Sequence, residues 1–231
     1  MAEATFLDSL NDRKKVRLES GEADRLSSRT FNLLLMGFLL YGFLVNAVMV
    51  YYFASPIMGI VANIGWWSLL LYLVPSFIGV IMAVNSNNPA VSFLGYNLVV
   101  LPFGMLLAVI IPGLPVQIVV KAMILTAMVT ATMMVLASIK PAFFLGLGRT
   151  LLVALVIGIV AELVATFLLG YRGNLFDWLF VILFSGYIGF DIAKSQAYPK
   201  TLDNAIDSAL DIYLDVINLF IRLLSILSRS K

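Results

Sequence analysis

The sequence predicts an all-α membrane protein, a bundle of seven transmembrane helices. Hydrophobic residues make up 61% of the 231-residue chain and the mean hydropathy is +1.01, whereas average soluble domains are about 45–50% apolar. From Thr30 to Val120 the chain contains no Asp, Glu, Lys, Arg or His. The apolar runs are long and continuous, which excludes a membrane β-barrel, because barrel strands alternate apolar and polar residues.

A bilayer is crossed by about 20 apolar residues, and turn-forming segments such as "NSNNP" and "PGLP" divide the apolar runs. A polar tail, residues 1–29, precedes the membrane domain, residues 30–231. Seven spans are predicted, at residues 31–53, 59–84, 89–111, 116–138, 142–169, 175–197 and 205–228.

The distribution of Lys and Arg predicts the orientation, because cytoplasmic segments are enriched in both. With the tail inside, ten of these residues are cytoplasmic, Lys194 among them, and about four are outside. The N-terminus is therefore expected in the cytoplasm. Seven full spans place the C-terminus outside, whereas a re-entrant last segment would place Arg229 and Lys231 inside.

Several functions are disfavoured by composition. Cysteine and histidine are absent, so disulfides, thiol chemistry and imidazole titration are excluded. No phosphate loop, nucleotide fingerprint or zinc-ligand spacing is present, and we expect neither an enzyme nor a cofactor. The net charge of +2 comes from charges near the chain ends and does not indicate nucleic-acid binding.

Charged residues inside the spans are the most informative, since a charge in lipid is costly and usually faces a protein interior or water. Asp177 lies near a span end and is expected at the interface, and Lys121 is close enough to an end to snorkel. Glu162 lies deeper, as a neutral acid, a partner of a lysine, or an ion ligand. The full set is Lys121, Glu162, Asp177, Asp191, Asp207, Asp211, Asp215 and Arg222.

The last span carries a row of aspartates at spacing four, Asp207, Asp211 and Asp215. Four residues drift only about 40° around a helix, so the three share a face, and Arg222 returns to nearly the same azimuth. Asp207 is then interfacial, Asp211 about 10 Å deep and Asp215 about 16 Å deep. Asp191 in the preceding span is about 10 Å from the same end. Depth alone does not choose between Asp211 and Asp215 as its partner.

Two carboxylates in a nearly dry interior cannot both ionise cheaply, so such a pair can share one proton. When deprotonated, the same oxygens are ligands suited to Ca²⁺. A purely structural hydrogen bond between helices, or an ion pair made by Arg222, would explain the same residues without transport.

Three segments resemble the transmembrane Bax inhibitor motif family, the Bax inhibitor-1-like proteins. They are "SALDIYLDVINLFIRLLSIL" (208–227), "SGYIGFDIAKS" (185–195) and "NPAVSFLGYNLVVLPFG" (88–104). The resemblance implies seven helices with the C-terminal one central. Bacterial relatives look like pH-sensitive calcium leak channels, so the resemblance implies this function here. It also implies that Asp191 and Asp215 form the paired carboxylate sensor.

Two departures from the family stand out. Some relatives carry an arginine near the end of the second helix that can bond the first aspartate, but here Asn85, Asn87 and Asn88 occupy that stretch. Asp211 takes a position that is usually small or uncharged. An added carboxylate there would complete a three-acid cation site or strengthen the retention of the shared proton.

The leading hypothesis is a cation leak channel, most simply for Ca²⁺, in a bacterial plasma membrane, with Asp191 and Asp215 as pH sensor and Ca²⁺ ligands. Asp211, Asp207, Arg222 and Glu162 are candidate additional ligands or partners. The expected partners are the lipid bilayer, Ca²⁺ and H⁺.

Two other hypotheses remain. A non-transport regulator would use the tail to bind a membrane protease or a cell-death or stress partner. An intramembrane aspartyl protease would also pair two aspartates, but "IGF" precedes Asp191 in place of Gly-x-Gly, and no Pro-Ala-Leu follows Asp215.

Overall fold

The computed structural model describes residues 25–171 and 173–229, and every regular element within them is helical. Residues 1–24 of the predicted tail therefore lie outside the described residues. Two short 3₁₀ turns, Gly65–Trp67 and Ile111–Gly113, interrupt the series of α-helices. These helices are α1 (Ser28–Ile64), α2 (Ser68–Val84), α3 (Pro89–Ile110), α4 (Val116–Ile139), α5 (Pro141–Gly146), α6 (Gly148–Phe167), α7 (Leu175–Ala197) and α8 (Leu202–Arg229).

Five stretches of the described chain are long and apolar enough to cross a membrane. This number differs from the predicted seven for two reasons. The first stretch contains both α1 and α2, and α8 carries too many charges to qualify by apolarity. The five are Ser28–Val84, Pro89–Gly113, Val116–Ile139, Gly148–Phe167 and Leu175–Ala197.

The predicted break between the first two spans, at residues 54–56, is wrong. Helix α1 continues through Pro56 and ends at Ile64, and Gly65 then adopts a positive φ of 62°. A proline inside a transmembrane helix is tolerated because neighbouring groups satisfy the freed backbone carbonyl. The turn falls instead at the glycine, which reaches a positive φ without a steric penalty.

The predicted span 142–169 is also divided, into α5 and α6, by a turn at Leu147. The remaining boundaries agree with the sequence prediction to within a few residues at most helix ends, as for α3, α4, α7 and α8.

The described residues fall into two compact units, one of residues 25–113 and 195–210 and the other of residues 114–171, 173–194 and 211–229. In the first unit, α1 and α2 both pack on α3. The backbones of α2 and α3 meet at Gly79 and Gly95, where a Cβ on either glycine would overlap the carbonyl oxygen of the other. The Tyr96 hydroxyl on α3 donates to the Phe38 carbonyl on α1, at 2.7 Å.

The second unit contains α4, α5, α6, most of α7 and the part of α8 that starts at Asp211. Most of its charged residues lie where α8 meets α7 and α6. Most of α8 is buried, although it carries the densest row of carboxylates in the membrane domain.

Candidate functional site: two charge clusters on the last helix

Asp191 on α7 and Asp215 on α8 bring their carboxyl groups together in the second unit. The two carboxyl groups are close enough for each to act on the charge of the other, and each residue is only 7% exposed. Two bare carboxylates buried this close repel each other. The arrangement therefore favours one shared proton over two bare carboxylates.

Lys194 joins this pair and was missed as a site residue. Its ammonium donates to Asp191 Oδ1 at 2.9 Å and to Asp211 Oδ2 at 2.8 Å, so it links α7 to α8. The sequence analysis counted Lys194 as a cytoplasmic loop charge. Its spacing of three from Asp191 on one helix was the signal that could have found it, since residues three apart are neighbours on a helix.

We call Asp191, Lys194, Asp211 and Asp215 the lysine cluster. Asp215 Oδ2 is buried and accepts no hydrogen bond from the part of the chain that the structure describes. The side chains of Lys194 and Asp211 keep 24% and 20% of their surface exposed. One side of the cluster is thus closed, and the side at Lys194 and Asp211 is partly open.

Arg222 organises a second cluster on α8, seven residues after Asp215. Its guanidinium donates to both oxygens of Glu162 on α6, at 2.5 and 2.7 Å, and to Asp177 on α7 at 3.0 Å. The guanidinium carbon also lies 4.3 Å from the centre of the Phe180 ring. Arg222 therefore pairs with residues on two other helices and not with the aspartate row of its own helix.

Asp177 is shared by several donors and is only 6% exposed at its side chain. Ser225 donates to its Oδ2 at 2.9 Å, and Arg229 lies 3.6 Å from the same oxygen. We call Arg222, Glu162, Asp177 and Arg229 the arginine cluster. Asp177 was expected at the interface; it lies in the first turn of α7, but it is buried.

A cavity of about 400 Å³ adjoins the arginine cluster and is lined by two of its carboxylates. The carboxylate oxygens that line it are already engaged by Arg222, Ser225 or Arg229. The lining residues are Glu162, Thr166, Tyr171, Gly173, Phe176, Asp177 and Arg229.

Asp207, the first of the aspartate row, belongs to the other unit and is fully buried there. In the same unit Asp203, which the sequence analysis did not single out, accepts a hydrogen bond from Ser92 Oγ on α3 at 2.7 Å. Lys121 is exposed on α4, as snorkelling requires.

Lys200 stabilises the loop between α7 and α8. Its ammonium donates to the Ser195 and Gln196 carbonyls, at 3.3 and 3.0 Å, where a positive charge favours the end of α7. The same ammonium lies 4.6 Å from the centre of the Phe31 ring. Partial burial lowers the pKa of Lys200. This contact holds the start of α1 against the loop that joins the helices carrying Asp191 and Asp215.

Among the described residues, no group of three or more His, Cys, Asp or Glu side chains is arranged to hold a metal ion. A resident Ca²⁺ takes six to eight oxygen ligands. Asp191 and Asp215 supply fewer, and Asp211 is engaged by Lys194. The lysine cluster therefore suits brief contact with a cation better than its storage.

Comparison with known protein families identifies the family of this chain. Residues 24–231 match the sequence model of the family described as "Inhibitor of apoptosis-promoting Bax1". The chain belongs to the Bax inhibitor-1-like family. No curated protein and no solved structure gives a significant match to the chain.

In this Bax inhibitor-1-like protein, the asparagines after α2 make local bonds. Asn85 Nδ2 donates to the Ile81 carbonyl at 2.8 Å, and Asn88 Oδ1 caps α3 by accepting from the Ala90 amide at 2.9 Å. Asn87 is exposed. The cation that binds Asp191 in the second unit is Lys194, on the same helix as that aspartate.

Proposed function

We propose that this Bax inhibitor-1-like protein is a pH-sensitive cation leak channel, with Ca²⁺ as the permeant ion and the Asp191–Asp215 pair as its gate. The observation that carries the proposal is the close approach of two buried carboxyl groups on different helices. Removal of the shared proton leaves two negative charges that repel each other. The repulsion is about 4 kcal/mol at a separation of 4 Å and an effective dielectric constant of 20.

The neighbours of the pair support a definite position for the proton. Asp191 accepts a hydrogen bond from the Lys194 ammonium, which favours its ionised form. The shared proton then resides on Asp215, whose Oδ2 is buried without a partner in the described residues. A neutral acid tolerates such an oxygen better than a carboxylate does.

The direction of gating follows from this arrangement. At low pH the shared proton is present and removes the repulsion between the two carboxyl groups, so α7 and α8 stay together at the pair. At higher pH the proton leaves, the carboxylates repel, and both present hard oxygens to a passing cation. The leak is therefore closed in acid and opens as the pH rises.

The proposed topology has seven transmembrane segments, a cytoplasmic N-terminus and a central C-terminal helix, in a bacterial plasma membrane. Two helices in the first apolar stretch and the burial of α8 support the count of seven. The excess of Lys and Arg on one side supports the orientation. We infer no enzymatic activity.

Calcium flux into proteoliposomes tests this function. Wild-type flux should rise between about pH 6 and about pH 8, by at most about tenfold per pH unit, the limit for a single proton. Asp191→Asn and Asp215→Asn should abolish the pH dependence, because an amide cannot release the proton. Asp203→Asn, an isosteric change of a buried carboxylate in the other unit, is the matched control and should keep the profile.

A wild-type protein without flux at any pH would overturn the channel proposal. That outcome would favour the regulator hypothesis, in which deletion of the tail, residues 1–29, removes the cellular function.

A further inference from the structure

The ammonium of Lys194 occupies a position between carboxylates of two helices. It contacts Asp191 Oδ1 on α7 and Asp211 Oδ2 on α8. Asp211 lies one helical turn before Asp215, and Lys194 lies almost one turn after Asp191. The ammonium therefore lies at one end of the carboxyl pair, on the partly open side of the lysine cluster.

Lysine is suited to leave this position. Its charge is a compact ammonium on a flexible four-carbon chain, unlike the planar fork of arginine. The Lys194 side chain is 24% exposed, and its ammonium lies 5.5 Å from the centre of the Phe190 ring, so its surroundings are partly aqueous and partly apolar. The contact oxygens are also those that an incoming divalent cation needs.

We propose that Lys194 is a tethered counter-cation that competes with the permeating ion for Asp191 and Asp211, and so limits the leak. The inference rests on the proposed channel function and deepens it. With the ammonium removed, the oxygens of Asp191 and Asp211 that it contacts are released to the passing ion, and hard carboxylate oxygens attract a divalent cation more strongly than a monovalent one.

The test measures Ca²⁺ flux and Na⁺ flux at one high pH at which wild-type flux no longer changes with pH, so that a change in the proton affinity of the pair does not alter the result. Lys194→Met should raise Ca²⁺ flux about tenfold, the scale of losing a competing charge-assisted hydrogen bond. Na⁺ flux should rise less, because a monovalent ion is attracted less strongly by the released carboxylates. Lys194→Arg keeps the charge and should stay close to wild type. Lys140→Met, at an exposed lysine that ends α4, is the control for loss of one positive charge.

A second variant covers the case in which Lys194→Met does not fold. Lys194→Met combined with Asp211→Asn removes the ammonium together with one of its carboxylates. It should raise Ca²⁺ flux less than Lys194→Met does, because only one of the two carboxylates that the ammonium contacts remains.

The outcomes separate this inference from the channel proposal. If wild-type flux is present and neither Lys194→Met nor the double variant changes it, Lys194 is not a competitor, while the channel proposal stands. If Lys194→Met raises flux as strongly for Na⁺ as for Ca²⁺, the competition model is wrong. If no variant and no wild-type sample conducts, the channel proposal itself is wrong.

Discussion

The two charge clusters on α8 have a similar arrangement but differ in the balance of positive and negative charges. In each, one cation lies between carboxylates from different helices: Lys194 between Asp191 and Asp211, and Arg222 between Glu162 and Asp177. The arginine cluster adds a second guanidinium, from Arg229, so two cations face two carboxylates. The lysine cluster adds a third carboxyl group, from Asp215, so one ammonium faces three acids.

We expect this difference to suit the lysine cluster to a switch and the arginine cluster to a structural role. A balanced cluster with a bidentate arginine has no reason to bind a proton or an external cation. An unbalanced cluster must do one or the other, because buried like charges repel. The functional part of α8 is therefore expected where its charges fail to cancel.

Loss of Arg222 gives the largest expected effect. Arg222→Met leaves Glu162 and Asp177 half-buried or buried without their main partner, which should lower the free energy of unfolding by about 3 kcal/mol. Thermal unfolding in detergent, followed by tryptophan fluorescence, measures this change. Arg149→Met, at an exposed arginine in the first turn of α6, should leave the midpoint nearly unchanged. Equal effects of the two substitutions would contradict a structural role for the arginine cluster.

Isosteric neutralisation compares the clusters directly. Asp177→Asn removes a charge that accepts from Arg222 and Ser225, and should cost about 2 kcal/mol. Under the proposed function Asp215 carries the shared proton, so Asp215→Asn should cost less than about 1 kcal/mol near neutral pH. The same unfolding assay decides between them. If Asp215→Asn were as costly as Asp177→Asn, the proton could not reside on Asp215.

Much of the fold was predictable, because apolar runs and turn signals are local properties of the chain. Helices α3, α4 and α7 follow from length and hydropathy, and the family was recognised from the residues of α8. The end of α1 was not predictable from Pro56, since a proline signals a break only where its freed carbonyl is left unsatisfied. Gly65 ends that helix instead.

The partners of the charged residues were predicted less well. Helix geometry gives the azimuth and depth of Arg222. Whether its guanidinium meets Glu162 or the aspartate row depends on how the helices pack, and one sequence does not show which helices are neighbours. Lys194 was overlooked because its position close to a predicted span end suggested a loop charge. Its separation of three residues from Asp191 was sufficient to indicate an ion pair.

Exchange of the two cations gives the smallest expected effect and the sharpest comparison. Arg222→Lys keeps the charge but loses the paired bonds to both oxygens of Glu162, and should cost about 1 kcal/mol. Lys194→Arg keeps the charge in a partly open site where single bonds suffice, and should change stability by less than about 0.5 kcal/mol. Unfolding midpoints of the two variants, measured in the same detergent, provide the comparison. A larger loss for Lys194→Arg would mean that the lysine site is the more closely fitted of the two, and an ammonium held that tightly could not give way to a passing ion.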